Sequence, residues 1–518
     1  MTNGEAAGAR KYERWIFLAA VLVSGLPMVW PGFAPLVDAP GRIGQYRIMV
    51  EAGQAPLAQH YIVHWALIGN FGVDSLVIAL AQLLGVEPAA HLVIGMIPPL
   101  TVAAMLWVAR EAHGRIPPAA GFALPLAYAL PFQLGFLNFC LASALALASL
   151  ALWIRLARRA RLATRIAIFL PIAGVIWTCH IFGWAMFGLF IFGAEFAIRV
   201  ERGEQRWRAL LLAALTCAPM VWPQLLAMIF GGSVSGETGD WLRLGVKLQF
   251  LVTLLQERWK FYDVACICVV VIVLWGALRV KSLSFVPVLA APALLTLIAF
   301  IMLPRIYMSG VFVDLRLLPS GVALSLLAIR VNPGNQTLER RLALGGAAFF
   351  GLRTLTSTIA FILYAQAQQA ELQAIRLIPE GSAVLSLVNQ PPAVNWINPR
   401  FAHLAGIAVA RRRIFTNEQW GATRGQQLIE QRHPNAAPLA QDPSQIVYPV
   451  GSRIAPTDFD EAIAHFDRGT FGYVWTIGFP PGRAHAADLA LIWANQHSAL
   501  YRVVPAQKAR LSIVAPRR

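Results

Sequence analysis

Charge is scarce in this sequence. Of its 518 residues only 13% are charged and 57% are hydrophobic, which excludes an ordinary soluble globule, where about a quarter of residues carry charge. Acids are scarcest of all, 26 against 43 Lys and Arg, for a net charge of +17. In a chain of long apolar runs such a surplus marks the cytoplasmic ends of membrane helices and does not call for a nucleic-acid partner. Cysteine is nearly absent. The five present, Cys140, Cys179, Cys217, Cys266 and Cys268, lie in apolar runs without paired C-x-x-C spacing, so neither a disulfide framework nor a cysteine zinc site is expected. No G-x-x-x-x-G-K-S/T, H-E-x-x-H or G-x-S-x-G motif occurs, which removes the usual support for an ATPase, a zinc protease or a serine hydrolase. No metal and no cofactor is expected.

What is there is apolar runs of membrane length. A spanning helix needs about 20 apolar residues, fewer inside a bundle. Eleven passes are read near 15 to 36, 90 to 109, 118 to 133, 135 to 154, 166 to 180, 182 to 198, 209 to 230, 262 to 278, 284 to 303, 314 to 329 and 342 to 365. The uninterrupted stretches 118 to 154 and 166 to 198 are too long for one pass. Each reads as a hairpin, with turns at Leu134 to Asn138 and Cys179 to Gly183, where a glycine and a polar side chain coincide. With eleven passes, 19 basic residues fall in the tail and loops on one side and eight on the other. Lys and Arg are retained in short cytoplasmic loops, so the amino terminus is expected in the cytoplasm. The stretch 62 to 84, interrupted by Asn70, Asp74 and Gln82, is expected as an amphipathic helix on the outer surface.

The composition changes past Tyr364, where Gln366, Gln368, Gln369, Glu371 and Gln373 open a polar stretch. Residues 1 to 365 therefore form the membrane domain, with a first outer loop at 37 to 89, and 366 to 518 a soluble domain outside the cytoplasm. Short apolar runs at Ala383 to Val388, Ile446 to Val450, Tyr473 to Ile477 and Leu500 to Val504 read as strands, and Asp460 to His465 and Ala486 to Gln496 as helices. The expected fold is a polytopic α-helical membrane protein of about 11 transmembrane helices with a carboxy-terminal extracytoplasmic α/β domain. That domain carries a net charge of +5 and the run Arg411-Arg412-Arg413, either a solvated basic face or a surface for anionic lipid or a phosphorylated ligand.

The retained first helix, the outer loop opening at Leu36-Val37-Asp38-Ala39-Pro40, the bundle of spans and the outer carboxy-terminal domain together resemble the GT-C superfamily. Tracts such as Gly135 to Phe139 and Val313-Asp314-Leu315-Arg316 resemble those of bacterial membrane proteins of this kind. These integral membrane glycosyltransferases take a sugar from a polyprenyl-phosphate carrier. The resemblance implies that Asp38 is the family's acidic residue, a candidate catalytic base for the acceptor hydroxyl; it stands without a second acid beside it. An Asp before Ala-Pro just past a helix is also a common turn or cap residue. The resemblance further implies a glycan, lipid or protein acceptor and the periplasmic face of a bacterial inner membrane.

The departing phosphate needs cations. Glu257-Arg258-Trp259-Lys260-Phe261-Tyr262 alternates cations with aromatics, a pattern suited to a phosphate or to plain interfacial anchoring. Arg305 and Arg316, in the next outer loop, are further candidates. Arg353 lies about twelve residues into the last span, where an isolated charge contacts either the lipid phosphate or a carboxylate such as Glu195 or Asp263. His180, at a hairpin turn, lines a cavity or packs. His60 and His64 would share a helix face and bind metal or acceptor, although Tyr61 and Trp65 favour an interfacial helix. The glycine-rich Gly231 to Gly236 reads as a loop able to order over substrate. Two other classes remain: a flippase or transporter, which calls for repeats and midplane charges, and a non-catalytic component of polysaccharide assembly.

Overall fold

The computed structural model describes residues 3–66, 68–230, 236–308, 310–390, 396–419, 428–433, 436, 439–440, 442–447 and 458–504. Residues 231–235, most of the expected glycine-rich loop, lie outside the described residues. Among those described, seven helices are long and apolar enough to cross a membrane: Val86–His113, Leu137–Ala157, Leu162–Cys179, Ile181–Glu201, Arg206–Phe230, Lys260–Arg279 and Gln336–Leu377. Pro287–Met302 and Leu318–Leu327 are shorter apolar helices. The protein is multi-pass, but long helices alone do not supply eleven crossings.

Two departures have a common cause. The first helix, Asn3–Ser24, stops well short of residue 36, because Gly25, Pro27, Pro31 and Pro35 follow. The run 118 to 133 is no single helix. It folds as two 3-10 turns, Pro118–Phe122 and Leu124–Tyr128, and a short helix, Leu130–Leu134, each with proline at its first or second position. A proline within a helix removes a hydrogen bond and clashes with the preceding turn. Hydropathy registers the apolar content of such a run and not its breaks. Both hairpin turns lie where the sequence places them: Gly135, at φ 93°, ends one helix before Leu137–Ala157 begins, and extended His180 separates Leu162–Cys179 from Ile181–Glu201.

The chain divides into two compact units, one of residues 1–30, 67–76 and 93–360, the other of residues 31–66, 77–92 and 361–518. In the first, the two hairpin turns are tied by the segment 69–74. Phe71 N–H donates to Thr178 O at 2.9 Å and Ile181 N–H to Gly69 O at 2.7 Å. Asn138, the polar residue of the other turn, accepts from Val73 N–H at 2.6 Å and donates to Asn70. Of the stretch 62 to 84 expected as a surface helix, residues 72–84 are helical, whereas 61–63 form a strand and Asp74 is buried.

The second unit holds a six-stranded sheet of β1 (Ala383–Asn389), β2 (Phe415–Thr416), β3 (Ile446–Val447), β4 (Tyr473–Ile477), β5 (Leu489–Ala494) and β6 (Ala499–Val503). Its order is β5-β6-β4-β1-β2. Strands β2, β3 and β4 run parallel to β1, while β6 is antiparallel to both β4 and β5. The expected helix 486 to 496 is therefore a strand, β5, because pairing along β6 overrides the helical spacing of its alanines and leucines. Strand β2 pairs with the start of β1 and β3 with its end. Between them the Asn417 side chain closes the ladder, accepting from Ser386 N–H at 2.9 Å and donating to Ser386 O at 3.1 Å. Past that point the chain leaves the sheet as Asn417-Glu418-Gln419, beyond the carboxyl end of β2 and beside the middle of β1.

Candidate functional site

Two clusters carry the candidate chemistry, one in each unit. In the first unit it centres on Arg316. The turn before it is fixed by a buried ion pair: Lys247 Nζ donates to Asp314 Oδ2 at 2.8 Å and to the carbonyls of Phe300 and Leu303 at 2.7 and 2.9 Å. Lys247 and Asp314 are thus satisfied by each other, and the half-buried Arg316 is directed onto rings. Its guanidinium lies 4.6 Å from the centre of Phe136 and 5.6 Å from that of Phe182. Both rings come from the hairpin turns, and Phe136 reaches this position because Gly135 adopts a left-handed conformation that other residues rarely take.

Arg316 also borders a cavity of about 40 Å³ whose walls include Phe132, Phe139, Leu147 and Pro319, with Cys140 and Ser143 as weakly polar edges. It is the charged side chain among the described lining residues. The recess has room for a few waters and not for a polyprenyl chain, but the guanidinium at its border offers the paired donors that phosphate oxygens accept.

The other expected cations are placed elsewhere. Arg353 is buried and ion-paired: Nη1 donates to Asp263 Oδ1 at 2.7 Å, and Nη2 lies 3.8 Å from Glu257. Its expected contact with a lipid phosphate gives way to the carboxylate pairing, because a charge this deep needs a partner at once. Asp263 also accepts from the backbone N–H groups of Glu257 and Arg258 at 2.9 and 3.1 Å. Arg258 itself stacks over Trp259 at 5.9 Å, and Lys260 is exposed at the start of its helix. Arg305 pairs with Asp240, Nε to Oδ2 at 2.8 Å. His180 caps the helix after it, Nδ1 accepting from Phe182 N–H at 3.1 Å, and its ring meets Phe139 edge-on at 5.5 Å. Arg316 and His180 thus share one aromatic cluster, whereas Arg258 and Arg353 share Asp263.

Asp38 belongs to the second unit. It is the half-buried residue preceding the helix Ala39–Val50, and its side chain makes no capping bond. That helix crosses the helix Ala405–Arg412 through glycines. A Cβ on Gly44 would stand 2.7 Å from Gly406 O, and one on Gly406 would stand 2.5 Å from Gly41 Cα. The crossing brings the start of the first helix to the residues around His403. There Nδ1 of His403 lies 3.3 Å from Glu418 Oε2, 3.9 Å from Asp442 Oδ1 and 3.5 Å from Gln445 Nε2. Glu418 and Gln445 are wholly buried, and Oε1 of Gln445 has no hydrogen-bond partner among the described residues. Burial opposes a charge on His403, but the Glu418 hydrogen bond and the charges of Asp442 and Asp38 outweigh it and raise the imidazole above its ordinary range. Burial raises Glu418 as well, against the pull of His403.

His403, Glu418 and Asp442 were not among the sequence candidates. A spacing of 15 residues follows no helical or strand period, and the partner acid lies far earlier in the chain. The expected pair His60 and His64 is separated instead, because residues 61–63 form a strand. His60 bonds His433 and Gly381 O, each at 2.9 Å, and His64 bonds Glu430 at 2.8 Å. No group of metal-binding side chains occurs among the described residues. Arg411, Arg412 and Arg413 are each engaged within the unit, with Glu87, with the carbonyls of Ile375 and Arg376, and with Glu51 and Glu380.

Solved structures place this architecture. ArnT from Cupriavidus metallidurans in its apo state superposes with a TM-score of 0.53 at 14% identity, over 98% of this chain and 100% of that one. The chain has the fold of ArnT. At 14% identity this likeness is one of fold, and it agrees with the polytopic architecture and carboxy-terminal sheet domain read from the sequence. A second structure, the same protein bound to undecaprenyl phosphate, gives a TM-score of 0.52 at 14% identity, over 97% and 99% of the two chains. No family model and no curated protein matches the sequence.

Proposed function

We propose that this protein is a membrane glycosyltransferase of GT-C type that moves a sugar from a polyprenyl-phosphate carrier to an envelope glycan, lipid or protein on the periplasmic face of the inner membrane. The observation that carries the reading is the Arg316 guanidinium at the border of an apolar recess, in a fold whose solved example binds undecaprenyl phosphate. Transfer forms a bond between the acceptor oxygen and the anomeric carbon as the bond from that carbon to the phosphate oxygen breaks. The electron pair leaves on the polyprenyl phosphate, and the acceptor's proton passes to a base. Within its own unit, Arg316 is the candidate cation for a leaving phosphate, and within the other, Asp38 is the candidate carboxylate for the proton.

The test is undecaprenyl phosphate binding to the full-length protein in nanodiscs, followed by native mass spectrometry. Replacing Arg316 with Gln removes a charge-assisted bond worth about 1.5 to 3 kcal/mol, so affinity should fall at least tenfold, with R316K recovering part of it. Equal binding by R316Q and the parent would remove the basis of the reading.

A further inference from the structure

Where the base sits, its environment points to a second participant. We propose that His403 is the positioning residue for Asp38: held at Nδ1 by Glu418, its ring orients the Asp38 carboxylate and supplies the positive charge that carboxylate faces. This rests on reading Asp38 as the base. The argument begins with the glycine crossing. Gly41, Gly44 and Gly406 let two helices meet backbone to backbone, and Gln419 reaches across them, its Nε2 lying 3.5 Å from Gly41 O. Side chains at the starts of the two helices are thereby gathered in one place. Asp38 lies three residues before Gly41 and His403 three before Gly406, and further back the Arg400 guanidinium donates to Pro35 O, so the two segments run side by side through Asp38 and His403.

The charges acting on the ring come from three elements: Asp38 from the start of the helix Ala39–Val50, Glu418 from the segment after β2, and Asp442 from the segment before β3. Three carboxylates around one imidazole favour its protonated form, in which the ring bridges acids that would otherwise repel one another. Glu418, fully buried and bonded to both His403 and Gln419, cannot turn away. Its fixed position fixes the ring plane, as a carboxylate does for an imidazole in many acid and base sites. Asp38 is more exposed than Glu418, which suits a group that must meet substrate.

The experiment is a proton titration of His403 by NMR in the full-length protein, labelled with ¹⁵N-histidine in nanodiscs. Ten histidines are present, and the His403 signal is assigned by its loss in H403Q, or in H403N should that variant fold poorly. In the parent the midpoint should lie above the ordinary value of about 6.5. In D38N it should drop by about half to one pH unit, the effect of removing a nearby opposite charge. The Asp38 side chain makes no capping bond, so D38N alters the charge and not the helix start. E418Q should lower the midpoint further and broaden the signal as the ring loses its anchor. A His403 that merely packs would titrate at one midpoint in the parent and in D38N, and that result overturns the proposal. So does a parent midpoint at or below the ordinary value. The titration needs neither donor nor acceptor, and the R316Q measurement needs no histidine, so each reading can fail while the other stands.

Discussion

The two units bury charge by opposite means. In the helical unit, ions are buried as ions. Arg353 lies among Asp263 and Glu257, Lys247 against Asp314, and Arg165 against Glu195, all with side chains at most 5% exposed. Each pair joins helices or turns distant in sequence, with side-chain amide and hydroxyl donors filling remaining lone pairs, as Gln133 and Ser357 do for Glu257 at 3.1 and 2.9 Å. In the sheet-containing unit neutral amides and hydroxyls accompany the buried Glu371 and Arg400, and an acid and imidazole cluster forms where the chain leaves β2 and enters β3. The first arrangement fixes a fold and the second leaves protons to exchange. Removing one ion of a buried pair strands its partner at a cost of about 3 to 5 kcal/mol. R353M should therefore have the largest effect on stability, seen as loss of monodisperse protein in detergent or a large fall in unfolding temperature. Adding D263N should restore part of the loss. An unchanged unfolding temperature in R353M would show that the pair is not what holds these segments together.

A smaller effect tests the other unit's packing. At Gly406 a Cβ would press on Gly41 Cα at 2.5 Å, and neither backbone can yield without separating the two helices. Overpacking of this kind costs about 1 to 3 kcal/mol. G406A should lower the unfolding temperature modestly and move the His403 titration toward its ordinary value, because the helix carrying Asp38 is pushed away. A lower unfolding temperature with an unmoved titration would separate the crossing from the cluster.

How much of this was legible in the sequence follows from the range of the interactions involved. The turns at Gly135 and His180 could be read because a glycine or a polar residue inside an apolar run is a local signal. Strands β1, β4 and β6 could be read for the same reason, as short apolar runs between turn residues. The run 118 to 133 misled because apolar content outvoted Pro118, Pro125 and Pro131. Strand β5 misled because Ala486 to Gln496 has helical spacing and only β6 decides otherwise. Of the cations, Arg316 and Arg353 were both singled out, but which one would meet a carboxylate depended on Asp263, 90 residues away from Arg353. The cluster at Asp38 was the least legible, since its members meet only through a helix crossing that glycines permit.

The smallest expected effect is also the one that most sharpens the contrast, because it sets histidines of one unit against each other. His60 and His433 share a hydrogen bond at 2.9 Å, and burial lowers both below the ordinary value of 6.5. Their contribution to stability is present above pH 6.5 and is lost as pH falls toward their folded values. His403 is raised, so its contribution is fully present below pH 6.5 and is lost as pH rises through its folded value; Glu418, raised by burial, has the same sign. Hydrogen exchange, corrected for intrinsic rates, should therefore show two opposite trends between pH 5.5 and 7.5. Protection of the paired strands Tyr61–Val63 and Ile429–Gln431, which flank the His60 and His433 contact, should fall on acidification. Protection of the helix Ala405–Arg412 should fall on alkalinisation. Each titrating proton allows at most a tenfold change per pH unit, so both trends are gentle. Trends of the same sign would mean that His403 is not held by its acids, whereas H433Q should flatten the first trend and leave the second intact.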